Sequence, residues 1–264
     1  MKLNVAGKSV IITGGASNIG RAIVHAFAEE GAKIAIADID VKQGEKVAEE
    51  ARKLGAASVL VQKTDVSKLD DVTALVQRVE AEHGACDILV NNVGWTVIGL
   101  FTEQSREQWQ REIEINLWGM INCTRAVLDK MIERKSGSVV SIGSDAGRMG
   151  EHKEGVYAAC KAGVAALTKT LAREYGKYNI RFNVVNPGTT MPDSDEEAGE
   201  QSMWRNGQSP WRAPEMRAKM VKVYPLRRIA KASEVASVVL FMASDGASFM
   251  TGQNISASGG YTMM

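Results

Sequence analysis

The chain is predicted to fold as a single α/β domain spanning residues 1–264, a doubly wound parallel sheet of about seven strands with helices on both faces. Three observations predict it. Short apolar runs recur at regular distances, longer stretches of helical periodicity separate them, and 264 residues suit one sizeable core. The runs expected as strands are Ser9 to Thr13, Lys33 to Ala37, Ser58 to Gln62, Ile88 to Asn91, Ser138 to Ile142, Arg181 to Val185 and Asn254 to Ser256. Val10-Ile11-Ile12 and Ile88-Leu89-Val90 are apolar throughout, as strands buried on both faces require. Helical spacing is read over Ile19 to Glu30, Val41 to Leu54, Leu69 to His83, Arg106 to Arg134, Val156 to Tyr178 and Ala232 to Ser244. Strand and helix alternate, which is the pattern of successive βαβ units.

One stretch interrupts the alternation. Residues 188–226 carry Pro192, Pro210 and Pro214, an acidic run from Asp193 to Glu200, and then Trp204, Arg205, Trp211, Arg212 and Arg217. A long insertion with two tryptophans is expected to form a lid over a binding site. Lys and Arg total 32 against 31 Asp and Glu, a formal charge of +1. No basic or acidic tail recommends a nucleic acid or a membrane surface as partner. Cys86, Cys123 and Cys160 are widely spaced without a CxxC pair, which fits core positions in a reducing cytoplasm. His25, His83 and His152 form no HxxxH pair, so no metal site is expected.

Between the first strand and the first helix runs Thr13-Gly14-Gly15-Ala16-Ser17-Asn18-Ile19-Gly20. A strand that ends in a glycine turn and opens a helix directs backbone N–H groups and the positive helix end at a diphosphate. Alone, such a turn is also a plain strand–helix loop. Asp38 at the end of the second strand changes the reading. Its carboxylate suits both hydroxyls of an adenosine ribose and repels the additional phosphate of NADP, so NAD is the expected cofactor.

Tyr157 and Lys161 are four residues apart, and on a helix they share one face. A free tyrosine titrates near ~10, so a base at neutral pH needs a shift of about 3 units, and a nearby ammonium group pushes in that direction. Ser144 follows the strand ending at Ile142 and so lies at a carboxyl end, where open α/β sheets bind ligands. Asn116 falls inside a helix, where Asn is a poor former.

Taken together the chain resembles the short-chain dehydrogenase/reductase family over essentially its whole length. The resemblance rests on the glycine motif, Asp65-Val66, Asn91-Asn92-Val93-Gly94, Asn116, Ser144, Tyr157, Lys161 and Pro187-Gly188. Two positions depart from the family pattern: Asn18 stands where glycine is usual, and Ser258 where Asp precedes the last glycine pair. The resemblance implies a Rossmann-type fold and a homotetramer or dimer. It implies that Gly14, Ser17, Asn18, Ile19, Gly20, Asp38, Asp65, Val66, Asn91, Asn92, Gly94, Tyr157, Lys161, Pro187, Gly188 and Thr189 hold the cofactor. Asn116, in a locally distorted helix, would position a water that links Lys161 to solvent.

The expected reaction is hydride transfer between a secondary alcohol and a nicotinamide ring. Tyr157 handles the hydroxyl proton, Ser144 holds the substrate oxygen, and Lys161 acidifies Tyr157 and binds the nicotinamide ribose. Trp95, Gly143, Met149, His152 and Met191 are candidate pocket walls, with Trp204 and Trp211 on the lid. Asn91-Asn92-Val93-Gly94-Trp95 and the basic lid are similar to dehydrogenases of alicyclic or aromatic hydroxyacyl-CoA thioesters, where Arg205, Arg212, Arg217, Lys219 or Lys222 would meet CoA phosphates. Other readings are a sugar, polyol or ring-alcohol dehydrogenase, an NADPH-dependent 3-oxoacyl carrier reductase, and a dinucleotide sensor without turnover.

Overall fold

Seven parallel strands in the order β3-β2-β1-β4-β5-β6-β7 form the centre of the computed structural model, which describes residues 2–192, 194–205 and 213–264. The strands are β1 (Ser9–Thr13), β2 (Lys33–Asp38), β3 (Ser58–Lys63), β4 (Ile88–Asn91), β5 (Gly137–Ile142), β6 (Ile180–Pro187) and β7 (Asn254–Ala257). The helices among the described residues are α1 (Asn18–Glu29), α2 (Val41–Leu54), α3 (Leu69–His83), α4 (Arg106–Ile113), α5 (Gly119–Arg134), α6 (Ala146–Met149), α7 (Gly155–Tyr175), α8 (Pro214–Met220) and α9 (Ala232–Ala243). Every strand run read from the sequence is present at these positions, and so is every helical stretch but one.

Side-chain alternation divides the core between the two faces of the sheet. Val10, Ile12, Ile34 and Ile36 pack with Ile23 and Phe27 of α1, Val47 of α2 and Val239 of α9. Ile11, Ala35 and Leu89 point the other way, onto Val72 and Leu75 of α3, Cys123 and Val127 of α5 and Ala172 of α7. The three cysteines are buried and free. Strand order reverses between β1 and β4, the switch point at whose carboxyl ends a crevice opens.

The single helix expected from Arg106 to Arg134 is divided. Residues Glu114–Trp118 form a π-turn between α4 and α5, with Asn116 buried inside it. The Asn116 side chain donates to the carbonyl oxygen of Glu112 at 2.9 Å, offering the helix backbone a partner outside the regular ladder. The short helices α6 and α8 were not legible as helical stretches, since each spans fewer than two turns or little more. No helix among the described residues is long and apolar enough to cross a membrane.

Candidate active site

The glycine turn is braced from two sides. Asn18 stands at φ 45°, so the residue in place of the usual glycine occupies the left-handed conformation that Asn tolerates best. A Cβ on Gly20 would lie 1.9 Å from the Gly14 carbonyl oxygen, which restricts that position to glycine. Asn92 Nδ2 donates to the carbonyl oxygens of Thr13 and Gly14, each at 3.0 Å. Ser17 makes no capping bond to α1, and the first turn of that helix carries no acidic residue, so its N–H groups are left for an anion. At the end of β2, Asp38 accepts the N–H of Ala16 and that of Asp40, each at 3.0 Å. Burial raises its pKa, and the Asp40 charge adds to the effect. An anion seat followed by a carboxylate fits the diphosphate and ribose of a nicotinamide dinucleotide.

Several residues expected to touch the cofactor also brace the scaffold. Asn91 donates to Thr124 Oγ1 at 3.1 Å and to Ser141 Oγ at 3.4 Å, tying β4 to α5 and β5. With Asn92 spent on the glycine turn, neither amide has its donors free for a ligand. Asp65 accepts both the N–H and the hydroxyl of Ser67, at 3.1 and 2.7 Å, and Val66 is buried against Gly119. After Pro187-Gly188, Thr189 donates its N–H to the Tyr224 hydroxyl at 3.0 Å, and that hydroxyl donates to Thr189 Oγ1 at 2.8 Å. Gly94 faces the catalytic helix, because a Cβ there would lie 3.5 Å from Asn116 Oδ1 and 3.6 Å from Lys161 Nζ.

The chemistry-bearing trio comes together beyond β5. Ser144 Oγ accepts the Ala146 N–H at 3.1 Å, which leaves its proton for Tyr157. That hydrogen bond lowers the Tyr157 pKa, but burial and then the Glu154 charge outweigh it, and the phenol is pushed well above its ordinary value. Lys161 shares the same face of α7, its Nζ 5.5 Å from the centre of the Tyr157 ring. It is turned onto the Ile142 carbonyl oxygen at 2.9 Å, and burial lowers its pKa to about 8. In this arrangement the surroundings of Tyr157 favour the protonated phenol. A cavity of about 10 Å³, room for roughly one water, is lined by Thr13, Asn91, Asn116, Ser141 and Lys161.

The pocket candidates separate. Trp95 is held by Asn116, which accepts its N–H at 3.1 Å and donates to its carbonyl oxygen at 2.7 Å, and the Arg111 guanidinium lies 4.7 Å over its ring. Met149, at the end of α6, and His152, on the connection to α7, are exposed, and Met191 is buried. Gly143 is no pocket wall in itself: a Cβ there would fall 2.0 Å from Asn186 Oδ1, where β5 and β6 close together. The lid differs most from expectation. Its described arm runs along the cofactor cradle, with the Gly199 N–H donating to Ser17 Oγ at 2.9 Å and Glu197 paired with Arg21 at 3.2 Å. Gln43 and Lys46 donate to the Glu196 carbonyl oxygen at 3.1 and 3.3 Å. Trp204 and Arg205 belong to this arm, and Trp211 and Arg212 lie outside the described residues.

Sequence reasoning missed Glu112, Glu154 and Tyr224. Of these only Glu154 left a signal, since it precedes Tyr157 by three residues, at the start of the same helix.

Comparison with known proteins extends these observations. A family model described as enoyl-(acyl carrier protein) reductase matches residues 14–262. The chain is 36% identical over 256 residues to the 3-oxoacyl-[acyl-carrier-protein] reductase FabG of Chlamydia trachomatis, covering 97% of this chain and 98% of that protein. It is 36% identical over 259 residues to the protein of the same name from Thermotoga maritima, covering 98% and 99%. Among solved structures, a short-chain type dehydrogenase/reductase from Mycobacterium marinum superposes with a TM-score of 0.87 at 27% identity, covering 98% of this chain and 97% of that one.

Proposed function

The chain belongs to the short-chain dehydrogenase/reductase family, and from that premise we propose that it interconverts a secondary alcohol and a ketone with NAD as its preferred cofactor. The family places it among oxidoreductases that act on CH–OH groups with a nicotinamide dinucleotide. The observation that carries the reaction is the convergence of Ser144, Tyr157 and Lys161 at the carboxyl ends of the central strands, beside an anion seat. Gly14, Ser17 and the first turn of α1 would hold the diphosphate, Asp38 the adenosine ribose, and Lys161 the nicotinamide ribose. When bound, the dinucleotide supplies or accepts the hydride. Ser144 donates a hydrogen bond to the substrate oxygen and fixes it against Tyr157. In reduction Tyr157 gives its phenolic proton to that oxygen, and in oxidation it takes the hydroxyl proton. Asn116, Lys161 and the cavity between them supply the route by which that proton is exchanged with water.

The NAD preference rests on Asp38 and Asp40, two carboxylates at the end of β2 that an additional ribose phosphate would meet. For the substrate, an acyl thioester is favoured by the relatives, both named 3-oxoacyl-[acyl-carrier-protein] reductase. The acyl part is read as alicyclic or aromatic and the carrier as CoA, with an acyl carrier protein as the second reading. The protein works in the cytoplasm as a homotetramer or dimer. The test is initial rates with NAD and NADP on a panel of a cyclic hydroxyacyl-CoA, its truncated thioester, a hydroxyacyl carrier protein and a sugar alcohol. Faster turnover of the CoA thioester with NAD is expected. Equal rates on the truncated thioester would remove the case for CoA recognition, and a preference for NADP would overturn the role of Asp38.

A further inference from the structure

Tyr224 lies near the end of the lid segment, and its ring is held from several sides. It precedes Pro225, and its backbone is extended, as a residue before proline favours. The ring stacks on that of Tyr261 from the carboxyl-terminal segment, with centroids 5.1 Å apart, and the Tyr261 hydroxyl donates to Glu151 Oε2. A Cβ at Gly188 would lie 3.1 Å from Tyr224 Cε1, so the ring rests against the backbone just before Thr189. Tyr224 is 3% exposed, and a phenol so buried needs a partner for its hydroxyl. The partner is Thr189, whose N–H donates to that hydroxyl at 3.0 Å and whose Oγ1 accepts from it at 2.8 Å. The Thr189 carbonyl oxygen accepts the Ala230 N–H at 3.2 Å. Both backbone groups of Thr189 are thus occupied, and its hydroxyl proton remains to be offered. Thr189 also stands between the two halves of the site. It follows β6, which pairs with β5, the strand that leads to Ser144. The carbonyl oxygen of the next residue, Thr190, accepts from Asn18 Nδ2 at 3.1 Å, which joins this segment to the glycine turn.

From this placement we infer that Tyr224 is a positioning residue for the cofactor, fixing Thr189 so that the threonine hydroxyl donates to the carboxamide oxygen of the nicotinamide. The inference rests on the reading of the glycine turn and Tyr157 as the two ends of a nicotinamide dinucleotide site. A dinucleotide with its diphosphate on that turn and its reactive ring beside Tyr157 passes Thr189 with its nicotinamide end. A free threonine hydroxyl rotates and can donate or accept. Here the phenolic proton takes one lone pair of Oγ1 and the neighbouring N–H is held by the same phenol, so the hydroxyl proton is directed away from Tyr224. A donor fixed beforehand has less freedom to lose when the cofactor binds. Holding the carboxamide also restrains rotation of the ring about its bond to ribose, and that orientation is what the transfer step requires. The Tyr261 stack and its bond to Glu151 hold the phenol from behind, so the arrangement runs from the turn before α7 to the end of β6.

The test compares two ligands that differ only at the nicotinamide end. NAD and ADP-ribose are each titrated into the full chain by calorimetry. In Tyr224→Phe, which keeps the ring and its stack, the Kd for NAD is expected to rise about three- to tenfold while that for ADP-ribose stays within about twofold. Thr189→Val, which keeps the shape and loses the hydroxyl, is expected to give the same selective loss. Adding Tyr224→Phe to Thr189→Val should then change little, because the two residues act as one unit. Equal losses for both ligands in Tyr224→Phe would reveal a merely structural role, and a lower Kd for NAD would reveal a phenol that occupies the place of the carboxamide. Either result, or unchanged binding of NAD, overturns the inference. Should Tyr224→Phe fail to fold, Thr189→Val decides: unchanged NAD binding there, or an equal loss for ADP-ribose, overturns it as well. A parent that binds neither ligand would overturn the reading of the cofactor site beneath it, and the inference with it.

Discussion

At the scale of the residue, three side chains act through where their charge or proton is held. Ser144 Oγ accepts the Ala146 N–H, and its own proton remains to be donated. Removal of that hydroxyl in Ser144→Ala is expected to lower kcat by about a hundredfold, in the range of a lost proton-handling partner, with KM changed far less. Steady-state rates decide it. Lys161 gives a second expectation. Its folded pKa, about 8, lies below its unfolded value of 10.5, so the buried ammonium opposes folding at low pH and the penalty is relieved as pH rises from about 8 to 10.5. Lys161→Met is therefore expected to melt several degrees higher than the parent at pH 7, with the gap closing by pH 10, while turnover is lost at both. Thermal melts at the two pH values measure the difference. A third expectation concerns Asp38. Its exchange for serine removes one of two carboxylates at the ribose end, and the ratio of kcat/KM for NAD over NADP should fall at least tenfold.

At the scale of the element, the strands and the long helices were legible because each shows one period without interruption. Val10-Ile11-Ile12 divides its residues between the two cores, as a strand buried on both faces must. The π-turn was not legible by period, since one additional residue in a helix shifts the phase by less than the width of its apolar stripe. Only the presence of Asn116 inside a helix hinted at it. The candidate site was readable for a related reason: Tyr157, Lys161 and Ser144 are placed by local spacing and by strand ends. The partners of Lys161 and Thr189 were hidden because Ile142 and Tyr224 come from segments distant in sequence. Glu112 was hidden within an ordinary charged helix. Asn116 ties its own turn to the backbone of Trp95 and Glu112 with three hydrogen bonds. Asn116→Ala should therefore cost about 2–4 kcal/mol of stability, since buried backbone groups lose their partners. Denaturant unfolding measures the cost, and amide exchange at residues 95–97 should accelerate with it.

At the scale of the whole molecule, the lid arm joins the two ends of the cradle. It touches α1 through Arg21, the glycine turn through Ser17, and α2 through Gln43 and Lys46. Ser17 is a residue that the cofactor is expected to use, and its oxygen accepts the Gly199 N–H, which leaves the hydroxyl proton for a phosphate oxygen. The arm then orients the hydroxyl that the cofactor needs, and weakening the arm should loosen binding. Gly199 is the position to alter, because a Cβ there would lie 2.5 Å from Asp40 Oδ2 and 3.0 Å from Gln43 Cβ, within the first turn of α2. Asp40 has little freedom to yield, since its other oxygen caps that helix by accepting the Gln43 N–H. Gly199→Ala is expected to raise the Kd for NAD about two- to tenfold, the worth of one net hydrogen bond. Calorimetric titration of the parent and the variant with NAD reads this directly. A lower Kd in the variant would show that the arm competes with the cofactor for its seat.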